Sequence, residues 1–230
     1  MLLAVLTGIP CLIAFAVWIL NITSEHTRFD QGFIIPVLAA FVIFEAVSGF
    51  FQKKAGQTGA GVRGEKASVS LLSGLPDHYT VIPNFQLAIN GRETEIDQLV
   101  VGDNGIFIVE TKNYRGTLYG DISDRELVKE KFARENTYSQ GLRNPVFQVK
   151  REIAMLKEYL RSNGCDHYVH GMVYYANCDF RYEVRGEDPY VSVFLAADGG
   201  EYKLLDTIRS NVDRAMTPEK KEQILRCLHG

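Results

Sequence analysis

The chain has 230 residues, 46% of them hydrophobic, and a formal net charge of −3 at pH 7. Glu25, Arg28, Asp30 and Glu45 together carry −2, which leaves −1 on residues 52–230. A nearly neutral segment is not an obvious nucleic-acid binder of the basic-patch kind. Its length is sufficient for one domain with its own core.

The first part of the chain predicts a transmembrane helical hairpin. Residues 2–22 contain no charged side chain and residues 33–51 contain only Glu45, and a span needs about 20 apolar residues. A cleaved signal peptide is the alternative, but the basic start and the Ala-x-Ala cleavage site are both missing. Glu45 could serve as an ion or proton site, or it could bond to the other helix or to water. The second interpretation is favoured because neither span holds a second ionisable residue.

Basic residues near the predicted spans indicate how the chain is oriented across the membrane. The loop 21–32 contains a single arginine, whereas four basic residues follow the second span: Lys53, Lys54, Arg63 and Lys66. The positive-inside rule then places the C-terminal domain in the cytoplasm, attached to the cell (inner) membrane by two spans. Residues 52–61, QKKAGQTGAG, are typical of a flexible linker, and residues 62–230 are predicted to form the domain.

The four cysteines indicate free thiols. Cys11, Cys165, Cys178 and Cys227 form no C-x-x-C pair and lie at no zinc-binding distance in sequence from the histidines. Free thiols fit a reducing compartment, in agreement with the predicted orientation.

The domain has the pattern of an α/β fold with helices covering a sheet. Helices are predicted over 62–72, from Asn144 to Asn163–Gly164, over 201–209 and over 217–228, and strands over 78–88, 95–101, 106–112, 168–176 and 190–196. Residues 114–122 are predicted to be a short edge strand. The polar segment 126–141 is predicted to begin as a strand and to continue as a loop.

The stretch EIDQLVVGDNGIFIVETKN, residues 95–113, predicts a hairpin with charges at its ends. If Gly102 pairs with Gly105, Asp97 lies across from Glu110, and if the register moves by two, it lies across from Lys112. In both registers the three charged residues share one face, because side chains alternate with period two. Both faces are otherwise apolar, so the charges lie at the rim of a buried layer.

Two interpretations of these charges remain open. One is a structural ion pair in which Lys112 neutralises one acid. The other is a site for a hard divalent metal, because Mg²⁺ is commonly held by one or two protein carboxylates together with water and substrate phosphate.

The motifs resemble those of the PD-(D/E)XK nuclease superfamily, and more specifically the nuclease-related domain (NERD) family. The matching residues are Gly64–Glu65, Glu95-Ile96-Asp97, Glu110-Thr111-Lys112-Asn113, Gly116, Asn144–Pro145 and Gln148. The resemblance implies a restriction-endonuclease-like mixed sheet core in the order α-β-β-β-α-β. It also implies hydrolysis of DNA phosphodiester bonds with Mg²⁺ or Mn²⁺.

Carried onto this chain, the resemblance makes Asp97 and Glu110 metal ligands and catalytic residues, with Glu65 as a further metal ligand. Lys112 would serve catalysis, and Gln148 would orient the site or contact the substrate. Asn113, Tyr114 and the cations Arg143, Lys150 and Arg151 are weaker candidates, the cations for phosphate contact. The alternatives are an inactive module that binds nucleic acid or a protein partner at the membrane, and a scaffold in which the charges form only an ion pair.

Overall fold

The computed structural model describes residues 69–133, 136–211 and 215–229, all within the unit Ala60–Gly230. The predicted spans, the linker and Glu65 lie outside these residues, so the two-span hairpin and the start of the domain at residue 62 stay predictions. Within the described part of the chain, no helix has both the length and the apolar character that crossing a bilayer requires.

The described chain begins in a helical turn, residues 69–72, and continues through nine strands and three longer helices. The strands are β1 (Thr80–Ile89), β2 (Arg92–Gly102), β3 (Gly105–Lys112), β4 (Gly116–Asp121), β5 (Glu126–Ala133), β6 (Asn136–Arg143), β7 (Val169–Tyr175), β8 (Phe180–Arg185) and β9 (Val191–Leu195). The helices are α1 (Pro145–Ser162), α2 (Gly200–Ser210) and α3 (Pro218–His229), and a 3₁₀ turn, Ala196–Asp198, precedes α2. The strands form two mixed sheets, so the predicted α/β class is confirmed.

The first sheet has the order β1-β2-β3-β7-β9. Its first three strands are antiparallel, and β3, β7 and β9 run parallel, with α1 in the crossover from β3 to β7. Gly102 pairs with Gly105, which is the first of the two predicted registers. The ladder between β1 and β2 skips Asn84, a residue with φ of 50° that would otherwise pair with Asp97.

The second sheet has the order β6-β5-β4-β8 and was predicted only in part. The prediction that 114–122 is an edge strand was wrong, because β4 is an inner strand between β5 and β8. The prediction that 126–141 ends as a loop was also wrong, because β6 pairs with β5 over its whole length. β8 was not predicted. The inner face of this sheet contributes Leu118, Leu127 and Phe180 to the core, but on β5 and β6 it also carries Lys129, Lys131 and Gln140. That mixture hides the pattern of these two strands in the sequence.

Both faces of the first sheet are covered, as the two apolar faces of the hairpin predicted. One face packs on α1 through Leu99, Val101, Ile106 and Ile108, and the other packs on α2 through Val100, Phe107 and Val109. The helix α1 comes so near β7 that a Cβ at Gly171 would stand 2.5 Å from Val149 Cγ1. This close contact holds α1 against the sheet beside the end of β3.

Candidate functional site

A buried carboxylate and a lysine end the central strand β3. Glu110 is 1% exposed, and the Lys112 ammonium donates a hydrogen bond to Glu110 Oε1 and forms an ion pair with it. The two side chains project from the same face because they are two residues apart on a strand. The sequence predicted this convergence, and the structure confirms that the pair is in contact.

Asp97 reaches the same place from the neighbouring strand β2. Extending the observed register by one pair beyond Gln98 and Val109 puts Asp97 across from Glu110. The Thr111 amide donates a hydrogen bond of 2.9 Å to Asp97 Oδ2. The carboxylate is therefore fixed against the backbone of β3 between Glu110 and Lys112.

The first turns of α1 supply the third side of the site. Asn144 caps the helix by accepting a 3.0 Å hydrogen bond from the Val146 amide, and Pro145 occupies the first turn, where its missing N–H costs nothing. One turn later, Gln148 Oε1 accepts a hydrogen bond of 3.3 Å from Lys112 Nζ. Gln148 therefore contacts Lys112, and its role at the site stays a prediction.

A residue that the sequence reasoning missed completes the arrangement. Glu152 is 0% exposed, and its Oε1 accepts a 3.0 Å hydrogen bond from Gln148 Nε2. A signal was available, because Glu152 lies three residues after Val149 and four before Leu156, inside the apolar stripe of α1. We call Asp97, Glu110, Lys112, Gln148 and Glu152 the acidic site.

The charges of the acidic site are strongly coupled. Burial raises the pKa of Asp97 and of Glu110. The Thr111 hydrogen bond to Asp97 and the attraction of Lys112 to both acids offset this only in part. Burial alone would lower the pKa of Lys112, but the charge of Glu110 outweighs it, so this pKa is raised and the ammonium is retained. Burial, followed by repulsion from Glu110, raises the pKa of Glu152 to about 8. At neutral pH the site therefore holds one ammonium and at least one protonated carboxyl group.

The donor set fits a metal ion held by two carboxylates. Among the described residues, no group of three or more His, Cys, Asp or Glu side chains is arranged to hold a metal. Glu110 Oε2 is buried and has no hydrogen-bond partner among the described residues. The Asp97 carboxylate lies next to it. Two carboxylates with several waters are a set that Mg²⁺ accepts. The predicted third ligand, Glu65, lies outside the described residues.

The weaker candidates are divided between the site and the surface. Tyr114 is partly buried and interacts with the charges of Lys112 and Glu110, which places it beside the site. Lys150 instead forms an ion pair of 2.7 Å with Asp188, and Arg151 donates a 3.3 Å hydrogen bond to Thr94 Oγ1. Neither cation forms an ion pair with a carboxylate of the acidic site, but the charge of Arg151 partly offsets the rise in the pKa of Glu152.

The fold and the site define a mixed α/β domain in which two acids and a lysine meet at the end of a central strand. The family model described as nuclease-related domain matches residues 60–176, just over half of the chain. The chain belongs to the nuclease-related domain (NERD) family, and the resemblance seen in its motifs is thereby confirmed.

An uncharacterized protein of Bacillus anthracis is 32% identical to this chain over 99 residues. The matched segment covers 42% of this chain and 45% of that protein, so the match spans less than half of either length. No solved structure matches the chain.

Proposed function

We propose that this protein hydrolyses phosphodiester bonds of DNA at the acidic site with the help of a divalent metal ion. The observation that carries the proposal is the convergence of Asp97, Glu110 and Lys112 on one face at the end of β3, with Gln148 in contact. Membership of the nuclease-related domain family supports it, because the matched range contains all four residues. A restriction-endonuclease-like core, which the motif resemblance implies, belongs to the same proposal.

Asp97 and Glu110 would hold the ion. Bound there, Mg²⁺ or Mn²⁺ would stabilise negative charge on the phosphate and lower the pKa of a water nucleophile. Glu65 is proposed as a further ligand on the strength of the motif alone.

Glu110, Gln148 and Glu152 together hold the Lys112 ammonium in place. Glu110 and Gln148 both accept hydrogen bonds from it, and Glu152 accepts one from the Gln148 amide, so that the Gln148 carbonyl oxygen is directed at the ammonium. A cation fixed in this way stabilises the negative charge that develops on the attacked phosphate without having to reorganise.

A binding module without catalytic activity is the second candidate, and the observed ion pair favours it. Lys112 already neutralises Glu110, which removes part of the charge that would attract a metal. Such a module would bind nucleic acid or a protein partner at the membrane. Titration with Mn²⁺ separates the two candidates, because the absence of metal binding would leave only the module.

The proposal is tested with the full-length chain, purified in detergent and incubated with DNA and Mg²⁺ or Mn²⁺. We expect Asp97→Ala to abolish metal binding and cleavage together. Lys112→Met should still bind metal but cleave roughly 100-fold more slowly, the cost of removing a donor that stabilises the transition state. Cleavage is followed on single-stranded, linear duplex and circular DNA.

Glu126→Gln is the matched control, since Glu126 is an exposed carboxylate on β5 with no contact to the acidic site. It should cleave at the rate of the unmodified protein. Equal cleavage by the unmodified protein and Asp97→Ala would exclude catalysis at this site, and so would metal binding without any cleavage.

We also propose that two spans anchor the domain in the cell membrane with the acidic site facing the cytoplasm. The apolar runs 2–22 and 33–51 and the basic residues that follow them support this orientation.

A further inference from the structure

The inner face of the hairpin β5–β6 changes from apolar to basic along its length. Leu127 is buried in the core, and the next two residues on the same face of β5 are Lys129 and Lys131. Gln140 pairs with Lys129 and Tyr138 pairs with Lys131, so these four side chains share one face. We call Lys129, Lys131, Tyr138 and Gln140 the basic hairpin face.

The Lys129 side chain is largely buried, and its ammonium has no counter-charge within the described part of the chain. It is 8% exposed, and the described residues supply no carboxylate within ion-pair distance of its ammonium and no hydrogen-bond acceptor. Its contact is with the ring of Tyr114, whose centroid lies 4.8 Å from Lys129 Nζ. Burial, and then the charge of Lys131, lower the pKa of Lys129. An ammonium that has lost part of its hydration through burial of its side chain gains free energy when an anion arrives to pair with it.

Tyr114 connects this cation to the acidic site. It follows Lys112 by two residues, and its hydroxyl interacts with the charges of Lys112 and Glu110. Its ring also packs against Tyr175 and Phe180, with centroids 5.9 and 6.1 Å away, so its position is fixed by the core. The Tyr114 side chain therefore lies between an anion bound at Lys129 and one bound at Lys112.

Glycine at position 116 keeps the basic hairpin face open at its base. A Cβ at Gly116 would stand 2.0 Å from the Glu130 carbonyl oxygen and 3.2 Å from Lys131 Cγ. The missing side chain lets β4 pair closely with β5 and leaves the Lys131 side chain room to extend along this face.

A second group of cations has two of its three charges balanced by carboxylates. A cleft of about 390 Å³ between α1 and the start of β7 is lined by Lys150, Lys157 and Arg161. Lys150 is paired with Asp188 at 2.7 Å and Arg161 with Asp166 at 3.3 Å. A polyanion would have to displace these carboxylates there, whereas at Lys129 it would displace none.

We propose that the basic hairpin face binds a single nucleic-acid strand, with Lys129 contacting the phosphate next to the scissile one and Tyr138 stacking on a base. This rests on the proposed nuclease function for the scissile bond, although the binding is measured without cleavage. Tyr138 is 60% exposed and lies beside a cation, which is the combination that single-strand binding surfaces use. A strand with splayed bases fits an exposed ring, because the bases of a duplex are already stacked on each other.

The test measures fluorescence anisotropy of a labelled DNA oligonucleotide, single-stranded or as a duplex, with the full-length chain in EDTA. We expect Lys129→Met to weaken single-strand binding by about tenfold or more, the effect of losing one charged contact to phosphate. The slope of log K against log salt concentration should become smaller by about 0.7. Lys129→Arg should keep both the affinity and the slope.

Tyr138→Ala should weaken binding roughly five- to a hundredfold, as for other base-stacking aromatic residues, without altering the salt slope. Lys157→Met, in the balanced cleft, is the control and should bind as the unmodified protein does. Lys129→Met removes an unpaired charge from a largely buried side chain and is expected to fold at least as stably, which thermal unfolding checks.

Unchanged affinity and salt slope in Lys129→Met would overturn the proposal, as would the absence of binding by the unmodified protein. If the protein bound duplex as tightly as single-stranded DNA and Tyr138→Ala left the affinity unchanged, the ligand of this face would not be a single strand. Failure of the nuclease function gives a different result, namely no cleavage with metal while binding in EDTA still depends on Lys129.

Discussion

Glu152 stands inside the apolar stripe of α1, where the helix packs on the sheet. Its Oε1 accepts from Gln148, and its Oε2 is buried with no partner among the described residues. A carboxyl group with a pKa of about 8 keeps its proton at neutral pH, and the proton then resides on the oxygen that accepts no hydrogen bond. Glu152 is thus a neutral support for Gln148.

The pH dependence of stability follows from this proton. Below the ordinary pKa of 4.5, Glu152 is protonated in both the folded and the unfolded state and adds no pH dependence. Between about 4.5 and about 8 the unfolded carboxyl ionises while the folded one keeps its proton, so the free energy of unfolding falls as pH rises. Glu152→Gln removes this fall, and by about pH 9 it should be more stable than the unmodified protein by roughly 2–4 kcal/mol.

Urea denaturation of the metal-free protein across this pH range measures the difference. Asp97 and Glu110 contribute slopes of the same sign in both proteins, because burial also raises their pKa values, so the comparison isolates Glu152. Glu126→Gln should follow the unmodified protein. Parallel curves for Glu152→Gln and the unmodified protein would mean that Glu152 ionises normally in the fold.

Residues whose positions depend on local geometry were predictable. Asp97, Glu110 and Lys112 lie on one hairpin, where the period of two and the turn residues fix which side chains share a face. Gln148 was placed by its motif, one turn after a recognisable helix start. Glu152 was missed because its burial depends on how near α1 comes to the sheet, a distance that Gly171 determines from another element.

At the scale of whole elements, α1 was predicted correctly and the second sheet largely was not. The helix has a cap, a proline in its first turn and an apolar stripe, all of which are visible in the sequence. The strands β5 and β6 have one face on the core and the other in solvent, and the inner face itself turns polar after Leu127. Hydrophobic periodicity therefore fails to identify the inner face of β5, because Lys129 is polar in the sequence but largely buried in the fold.

The cap of α1 also holds two other segments of the chain. Asn144 Nδ2 donates 2.9 Å hydrogen bonds to the carbonyl oxygens of Ile122 and Asp124, in addition to the cap that its Oδ1 provides to Val146. Asn144 is 2% exposed, so none of these groups has ready access to water once the side chain is lost. The start of α1 is thereby fixed to the turn between β4 and β5.

Asn144→Ala should lower the free energy of unfolding by about 2–4 kcal/mol, the sum of a lost cap and two unpaired carbonyl groups. Because Gln148 sits one turn further on, the substitution should also weaken any activity of the acidic site. Ser162→Ala is the control at the other end of the helix. The exposed hydroxyl donates to the Tyr159 carbonyl and accepts a long hydrogen bond of 3.5 Å from Asn163 Nδ2, and its loss should cost less than about 0.5 kcal/mol. Equal effects of the two substitutions in urea denaturation would contradict this role for Asn144.

At the scale of the whole molecule, an almost neutral total charge conceals a local separation of charge. The acidic site places its acids around Lys112, and the basic hairpin face places Lys129 and Lys131 next to it without acids. Net charge therefore gave no sign of a basic patch, while the fold places Lys129 and Lys131 on one face, where we propose that phosphates bind. The sequence alone could not show this, because the cations and acids are brought together by pairing between strands.

Membrane orientation is tested by the reactivity of the cysteines. Cys178 is exposed and Cys227 is partly buried, whereas Cys165 is buried and its pKa is raised to about 11. A maleimide that cannot cross membranes should therefore label the folded domain mainly at Cys178 and more slowly at Cys227. If two spans hold the domain in the cytoplasm, intact spheroplasts should show almost no labelling, and detergent should expose Cys178. Cys178→Ser should remove that signal.

A cysteine introduced into the predicted outer loop, Ser24→Cys in a chain that also carries Cys178→Ser, provides the opposite control. It should be labelled in intact spheroplasts, because the positive-inside rule places residues 21–32 outside. Labelling of Cys178 without detergent would show that the predicted orientation is wrong. Extraction of the chain by alkali alone would contradict the two predicted spans, since two apolar segments of this length do not leave a bilayer under those conditions. The first outcome would place the acidic site outside the cell, away from cytoplasmic DNA, and would direct the search for a substrate to extracellular nucleic acid.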